Sequence, residues 1–245
     1  MPPQSIACVF AHPDDETFGV GGMIAKYADA GHRIDLFCAT NGDAGKTAGV
    51  PVSSRHELAE VRKAELAAAA QVLGIQSIET PGYGDGTLGA IDPTPLIGHI
   101  VAFIRHSRPA VIITFGPEGA PTGHRDHMAI SRAATAAFFL SGLTTQFAEQ
   151  IAHNGLAPHR AARLFYHSWK YPLPDPRLTL EPVPPTVVID VLAWRERKIA
   201  AFRAHATQQL SAAAFETTLA GEERLALAAG VPQPRAEITD LFEGL

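Results

Sequence analysis

Between residues 5 and 142 the apolar positions alternate between two textures. SIACVF at 5–10, RIDLFCAT at 33–40 and PAVIITF at 109–115 are nearly unbroken runs. They lack the polar–apolar alternation of a strand with one wet face and read as strands covered on both faces. QSIET at 76–80 is a shorter strand that runs into the glycine-rich YGDGTLG. The segments between them carry apolar residues at helical spacing. TFGVGGMIAKYADAGH opens with Thr17 as a cap and stops at Gly31, and RHELAEVRKAELAAAAQVL at 55–73 is rich in strong helix formers and stops at Gly74. PTPLIGHIVAFIRHSR at 93–108 and MAISRAATAAFFLSG at 128–142 are helical in the same way. The order is βαβαβαβα, and right-handed crossovers make the strands parallel. The predicted fold is α/β: a Rossmann-like three-layer sandwich around a mostly parallel sheet.

After residue 142 the pattern loosens. RLFYHSW at 163–169 and PPTVVIDV at 184–191 read as further strands on either side of the proline-rich KYPLPDPRLTLEPVPP, and LAWRERKIAAFRAHATQQL at 192–210 reads as a helix. No tandem repeat or long linker parts the chain. Residues 1–245 are expected to form one domain, with a core over 1–142 and an extension over 143–245 that completes the sheet and walls the site.

Composition narrows the partners more than the fold. Hydrophobic residues make up 46% and charged ones 18% of 245, as in a compact globular chain. A net charge of -5 leaves no electrostatic footprint for nucleic acid or an anionic membrane, so a small molecule is the expected partner. Cys8 and Cys38 fall inside apolar strands, where thiols serve as small buried hydrophobes. MPPQSIACVF has neither a basic n-region nor a long apolar h-region, and no apolar stretch reaches the ~18 residues of a membrane span. A cytoplasmic protein without a membrane span is expected, and a homo-oligomer is compatible with everything above.

The polar residues that carry chemistry sit where two of these strands end. In an open α/β sheet, ligands bind beyond the carboxyl ends of the strands at the switch in strand order, which for the order 3-2-1-4 lies between the first and fourth strands. AHPDDE leaves the first and GHRDH leaves the fourth. His12 and Asp15, three apart, share one side if the chain after Pro13 winds helically, and His127 can join them from the other wall. Two imidazoles and a carboxylate with an open fourth position suit a catalytic zinc ion holding water, and suit ferrous iron as well. Asp14 is left free to accept a proton from that water, and His124 can stabilise or protonate developing charge.

Each cluster alone has a plainer explanation. HPDD is also a helix cap and turn with acids at the helix N-terminus, and GHRDH is also a solvated loop. It is their shared position at one sheet edge that argues for a site. GVGG at 19–22 is not a dinucleotide fingerprint, because AHPDDE fills the turn where those glycines belong. HRD at 124–126 is no kinase catalytic loop, because HMAIS follows it.

With AHPDDE after the first strand and GHRDH after the fourth, the chain resembles the LmbE-like (PIG-L) zinc-dependent N-deacetylases, which remove acyl groups from amino sugars such as N-acetylglucosamine conjugates. The resemblance covers residues 6–142, including VRKAELAAAAQVLGI and YGDGTL, and continues weakly through KIAAFRAHATQ. It implies His12, Asp15 and His127 as zinc ligands, Asp14 as general base and His124 as its electrophilic or acid partner. It further implies that Asp126 orients the His124 ring and that Arg62 reaches the substrate's hydroxyls; an Arg62–Glu65 pair on the helix surface is the plainer alternative. Arg125 stands where the family often has proline. Asp43 is a candidate substrate contact, Asp85 reads as a turn residue between glycines, and His205 is a further candidate that approaches the site. Specificity is expected in the loops 41–54, 116–123 and 171–185.

Overall fold

The computed structural model describes residues 3–170 and 179–245. Strands β1 (Ser5–Phe10), β2 (Arg33–Cys38), β3 (Ser77–Glu79) and β4 (Val111–Phe115) alternate with helices α1 (Asp15–Asp29), α2 (Arg55–Leu73) and α3 (Pro93–Ser107). Helices α4 (Arg125–Leu140) and α5 (Ala148–Ala152) lead to β5 (Arg163–Ser168) and β6 (Val187–Asp190). Helices α6 (Arg195–Ala204) and α7 (Ala212–Glu216) and strand β7 (Glu222–Gly230) complete the chain. The sheet order is β3-β2-β1-β4-β5-β7-β6. From β3 to β5 every pairing is parallel, while β7 runs antiparallel to both β5 and β6. The switch between β1 and β4 is where the order 3-2-1-4 places it.

The core follows the apolar runs. All five residues of β4 are buried, as is β1 from Ile6 onward, each large aliphatic contributing on the order of 1.5–3 kcal/mol of transfer free energy. Helices α1, α2 and α6 pack together, and α3 packs on α4. Gly74 ends α2 in the left-handed region, and the Ser54 hydroxyl caps its start by accepting from the Glu57 N–H at 3.1 Å.

Several local expectations need correction. Helix α1 begins at Asp15, not at Thr17, with Asp14 in the cap position, and α4 begins at Arg125, not at Met128. Both helices therefore start inside the polar motifs, which puts Asp15, Asp126 and His127 in first turns. The helix expected over 192–210 is broken: α6 ends at Ala204, His205 leaves helical geometry, and a 3-10 turn covers Ala206–Ser211. Strand β7 was not anticipated, because EERLALAAG has no clean period of two.

Strand β7 also repairs a defect in α1. Val20 departs from helical angles at φ -140°, which frees the N–H groups of the next turn. The Glu223 carboxylate accepts from the Gly22 N–H at 2.9 Å and the Met23 N–H at 2.7 Å, with Lys198 Nζ at 2.8 Å as its counter-ion. Gly22 makes the approach feasible: a Cβ there would lie 2.8 Å from Val191 Cβ.

Candidate active site

The chain leaves β1 through Ala11 and His12, and Asp15 turns back on them. Asp15 Oδ2 accepts from the His12 N–H at 2.8 Å and the Ala11 N–H at 3.2 Å. From α4, His127 comes to meet this turn: its Nε2 lies 3.1 Å from His12 Nδ1 and 3.3 Å from Asp15 Oδ1, and His12 Nδ1 is 3.5 Å from Asp15 Oδ2. Phe115, at the end of β4, stacks on the His127 ring at 4.1 Å and keeps it turned inward.

The outer nitrogens of both rings are occupied. His127 Nδ1 donates to the Gly119 carbonyl at 3.2 Å. His12 Nε2 faces Asp85 Oδ1 at 3.1 Å and Asp126 Oδ2 at 3.3 Å. Asp126 is fully buried and is held in turn by the Gly86 and Leu88 N–H groups at 2.7 and 3.0 Å. These outer bonds leave the inner nitrogens, His12 Nδ1 and His127 Nε2, facing each other and Asp15. Donor atoms of His12, His124 and His127, and of His12, Asp85 and Asp126, form two clusters, each within 4.8 Å, that could hold a metal ion.

Charge is uneven across the cluster. Burial, reinforced by neighbouring Asp15, raises the Asp14 carboxyl to about 6 against the pull of Arg62, His205 and His12. Burial also acts on Asp15, but His127 and His12 overcome it and hold that carboxyl well below its usual range. Burial opposes a charged His12, yet its bonds to Asp126, Asp15 and Asp85 outweigh the penalty and raise it. His124 is lowered by burial and by the facing His12 and His127. Its Nδ1 accepts from the Asp126 N–H at 3.2 Å and so caps α4, which places the proton of a neutral ring on Nε2.

These groups open onto a cavity of about 680 Å³ whose walls include Phe18, Lys46, Arg62, Phe115, His167 and Gln208. Arg62 is buried, donating to the Pro13 carbonyl, to Asp14 Oδ2 at 3.2 Å and to the Gly42 carbonyl at 3.1 Å. The alternative Arg62–Glu65 pair does not form, because Glu65 accepts from the Thr207 N–H and hydroxyl at 2.8 and 2.6 Å.

Four expectations about side chains change. The Asp126 carboxylate turns to His12 rather than to His124, because His124 spends its Nδ1 on the backbone of Asp126. Asp43 is not on the cavity wall: it takes the Asp85 N–H and Arg55 Nε, both at 2.9 Å, and ties two loops together. His205 is fully buried against Glu16 at 2.9 Å, beneath the cavity wall and not on it. Asp85 is more than a turn residue, since it lines the cavity beside His12. Of the expected specificity loops, residues 171–178 lie outside the described residues. Among the lining groups from the chain's second half, His167 carried no motif that could have found it, and Gln208 ends KIAAFRAHATQ, where the resemblance is weak.

A Rossmann-like sheet with a histidine–carboxylate cluster at its switch point defines a class of α/β proteins with a preformed site. Residues 7–138 match the PIG-L family, described as GlcNAc-PI de-N-acetylase. The chain is 32% identical to the 1D-myo-inositol 2-acetamido-2-deoxy-alpha-D-glucopyranoside deacetylase of Rhodococcus erythropolis, over 99% of this chain and 98% of that one. It belongs to the PIG-L family. Among solved structures, the N,N'-diacetylchitobiose deacetylase of Pyrococcus horikoshii superposes with TM-score 0.74 at 22% identity, covering 92% of this chain and 84% of that one. A 4-carboxy-2-hydroxymuconate hydratase from Pseudomonas putida superposes with TM-score 0.72 at 19% identity, covering 95% and 99%. The shared fold thus hosts more than one reaction, and function must be argued from the site. None of the described helices is long and apolar enough to cross a membrane.

Proposed function

We propose that the protein is a metal-dependent N-deacetylase that hydrolyses the acyl amide of a small amino-sugar conjugate. The observation that carries this reading is the convergence of His12 Nδ1, His127 Nε2 and Asp15 beside an Asp14 carboxylate that makes no bond to them. Donors bound at 2.0–2.1 Å around a tetrahedral ion lie roughly 3.3 Å from one another. His12 Nδ1 and His127 Nε2 are 3.1 Å apart, and each has a different Asp15 oxygen beside it, Oδ2 at 3.5 Å from His12 and Oδ1 at 3.3 Å from His127. The donor set fits zinc and also ferrous iron, with His12, Asp15 and His127 as ligands. When bound, the ion supplies Lewis acidity for the acyl carbonyl and lowers the pKa of water.

The chain's own residues do the rest. Asp14, with its carboxyl near 6, is ionised at neutral pH and basic enough to take the proton of the attacking water. Arg62 holds its Oδ2 in place. His124, neutral and protonated on Nε2, offers that N–H to the oxyanion as the carbonyl becomes tetrahedral. The proton gained by Asp14 then passes to the departing amine, which restores the carboxylate. Phe18 and Phe115 line the cavity with apolar surface that excludes competing water.

Metal analysis and acetate release test this reading together. Purified protein should hold about one zinc or iron per chain and release acetate from an N-acetylglucosamine conjugate in a chelator-sensitive way. Asp14→Asn should keep the metal and lose on the order of 10²–10⁴-fold in kcat, whereas His12→Ala should lose the metal. Metal-free protein that still binds an amino sugar, or full activity in both variants, would replace the enzyme with a binding protein or with different chemistry.

A further inference from the structure

Asp14 occupies a backbone conformation that its side chain resists, φ +127° and ψ -23°. Non-glycine residues rarely enter this region and stay there only when their surroundings hold them. The Thr17 and Phe18 N–H groups both bond the Asp14 carbonyl at 3.0 Å. Arg62 bonds the preceding carbonyl, of Pro13, and the Asp14 carboxylate itself. The Asp14 N–H donates to Glu16 Oε2 at 3.0 Å.

Glu16 is fixed in turn. Its Oε1 takes the Thr17 hydroxyl at 2.6 Å and His205 Nε2 at 2.9 Å, and both Glu16 and His205 are buried, at 1% and 0% exposure. His205 comes from the break after α6, and the next turn of chain is pinned where Glu65 accepts from the Thr207 N–H and hydroxyl. Glu65 lies three residues beyond Arg62 on α2. One helix therefore steadies the Asp14 carboxylate directly and the Asp14 backbone through Thr207, His205 and Glu16. Neither Glu16 nor His205 lines the cavity, so neither touches substrate.

We propose that Glu16 and His205 are positioning residues that hold the strained Asp14 backbone, and with it the carboxylate, in the conformation needed for proton transfer. The inference rests on the deacetylase reading above, in which Asp14 is the base. Without the Glu16–His205 pair, the Asp14 peptide relaxes to an ordinary conformation and its carboxylate swings off the line between Arg62 and the His12–Asp15 turn. A misplacement of about 1 Å at a reacting group costs on the order of 10²-fold in rate.

The test uses the full-length, metal-loaded protein with methyl N-acetyl-α-D-glucosaminide as probe. Glu16→Ala and His205→Ala should keep their metal and a KM within about three-fold of the parent, while kcat falls on the order of 10–100-fold. Glu16→Gln should recover most of the loss, because its amide oxygen still accepts the Asp14 N–H. A readout independent of turnover is hydrogen exchange at the Asp14 amide, which should accelerate at least about ten-fold in His205→Ala as its buried acceptor loosens. His205→Gln replaces His205→Ala if the alanine variant does not fold. Unchanged kcat with full metal, a change confined to KM or metal content, or failure of Glu16→Gln to rescue overturns the positioning role while leaving the deacetylase reading intact. If the parent releases no acetate from the probe, the deacetylase reading falls, and the exchange measurement alone decides the positioning role.

Discussion

The two sides of the cavity are built on different terms. The β1–α1 and β4–α4 turns put into one space, from a few consecutive residues each, nearly every group that can touch a reacting atom. The later chain, from β5 to β7, supplies single residues scattered among unrelated segments: Glu223 under α1, His205 under Glu16, His167 and Gln208 in the wall. Contact chemistry is concentrated in motifs, while the supports that hold it are dispersed. Substitutions on the first side should therefore change turnover, and substitutions on the second should change stability or alignment.

Glu223 offers the largest effect that could break this division. Its carboxylate joins two helix N–H groups to Lys198, and both charged side chains are 3% exposed. Glu223→Ala leaves a buried ammonium and two buried N–H groups without partners and should cost about 3–5 kcal/mol in denaturant unfolding. Pairing Lys198→Met with Glu223→Gln should recover part of that cost. Folded Glu223→Ala should keep kcat; a loss of kcat at unchanged stability would move Glu223 to the chemical side of the division.

Asp14 is where the two sides meet, and its backbone tests how much strain the site carries. Asp14→Gly and Asp14→Ala both remove the carboxylate and differ mainly in their tolerance of φ +127°. The glycine variant should be the more stable by about 1–3 kcal/mol, on the order of 2–10 °C in Tm, with both variants inactive. Equal stabilities would mean that the turn relaxes without cost and needs no support from behind.

His167 probes the second side by pH. Its ring is buried at the end of β5, and burial, with Lys198 adding to it, lowers its pKa to about 3. On acidification the unfolded chain protonates first, near 6.5, while the folded chain does not. Stability should therefore be lost from about pH 6.5 down to about pH 3, at about 1.4 kcal/mol per pH unit for this group. Subtracting the unfolding profile of metal-free His167→Gln from that of the metal-free parent should show that slope, and parallel profiles would contradict it.

What could be read from the residues divides along the same line. The four parallel strands, the helix over 55–73 and the switch point follow from local texture, because covered strands and strong helix formers announce themselves over consecutive residues. The convergence of His12, Asp15 and His127 followed from that topology. The role of Glu16 is not legible in the sequence, because its partner His205 is 189 positions away and sits where α6 breaks. Strand β7 was hidden because EERLALAAG lacks a period of two, and its pairing with β5 shifts register between Leu164 and Phe165. Asp85 passed for a turn residue because its flanking glycines do shape a turn; only the fold shows that this turn presses against His12.

Asp43 carries the smallest effect and the sharpest distinction between the two kinds of residue. Its position after β2 suggests a substrate contact, but the carboxylate is spent on the Asp85 N–H and on Arg55. Asp43→Asn keeps an oxygen for the Asp85 N–H and gives up only an ion pair whose arginine side chain is 63% exposed. Such pairs are worth about 0–1 kcal/mol, so stability should shift by no more than that and KM should stay within about two-fold. Asp43→Ala removes the acceptor as well, frees the turn that presents Asp85 to His12, and should weaken metal retention before it alters KM. A ten-fold rise in KM for Asp43→Asn at constant kcat would instead put Asp43 in contact with substrate and return the β2 loop to the chemical side of the cavity.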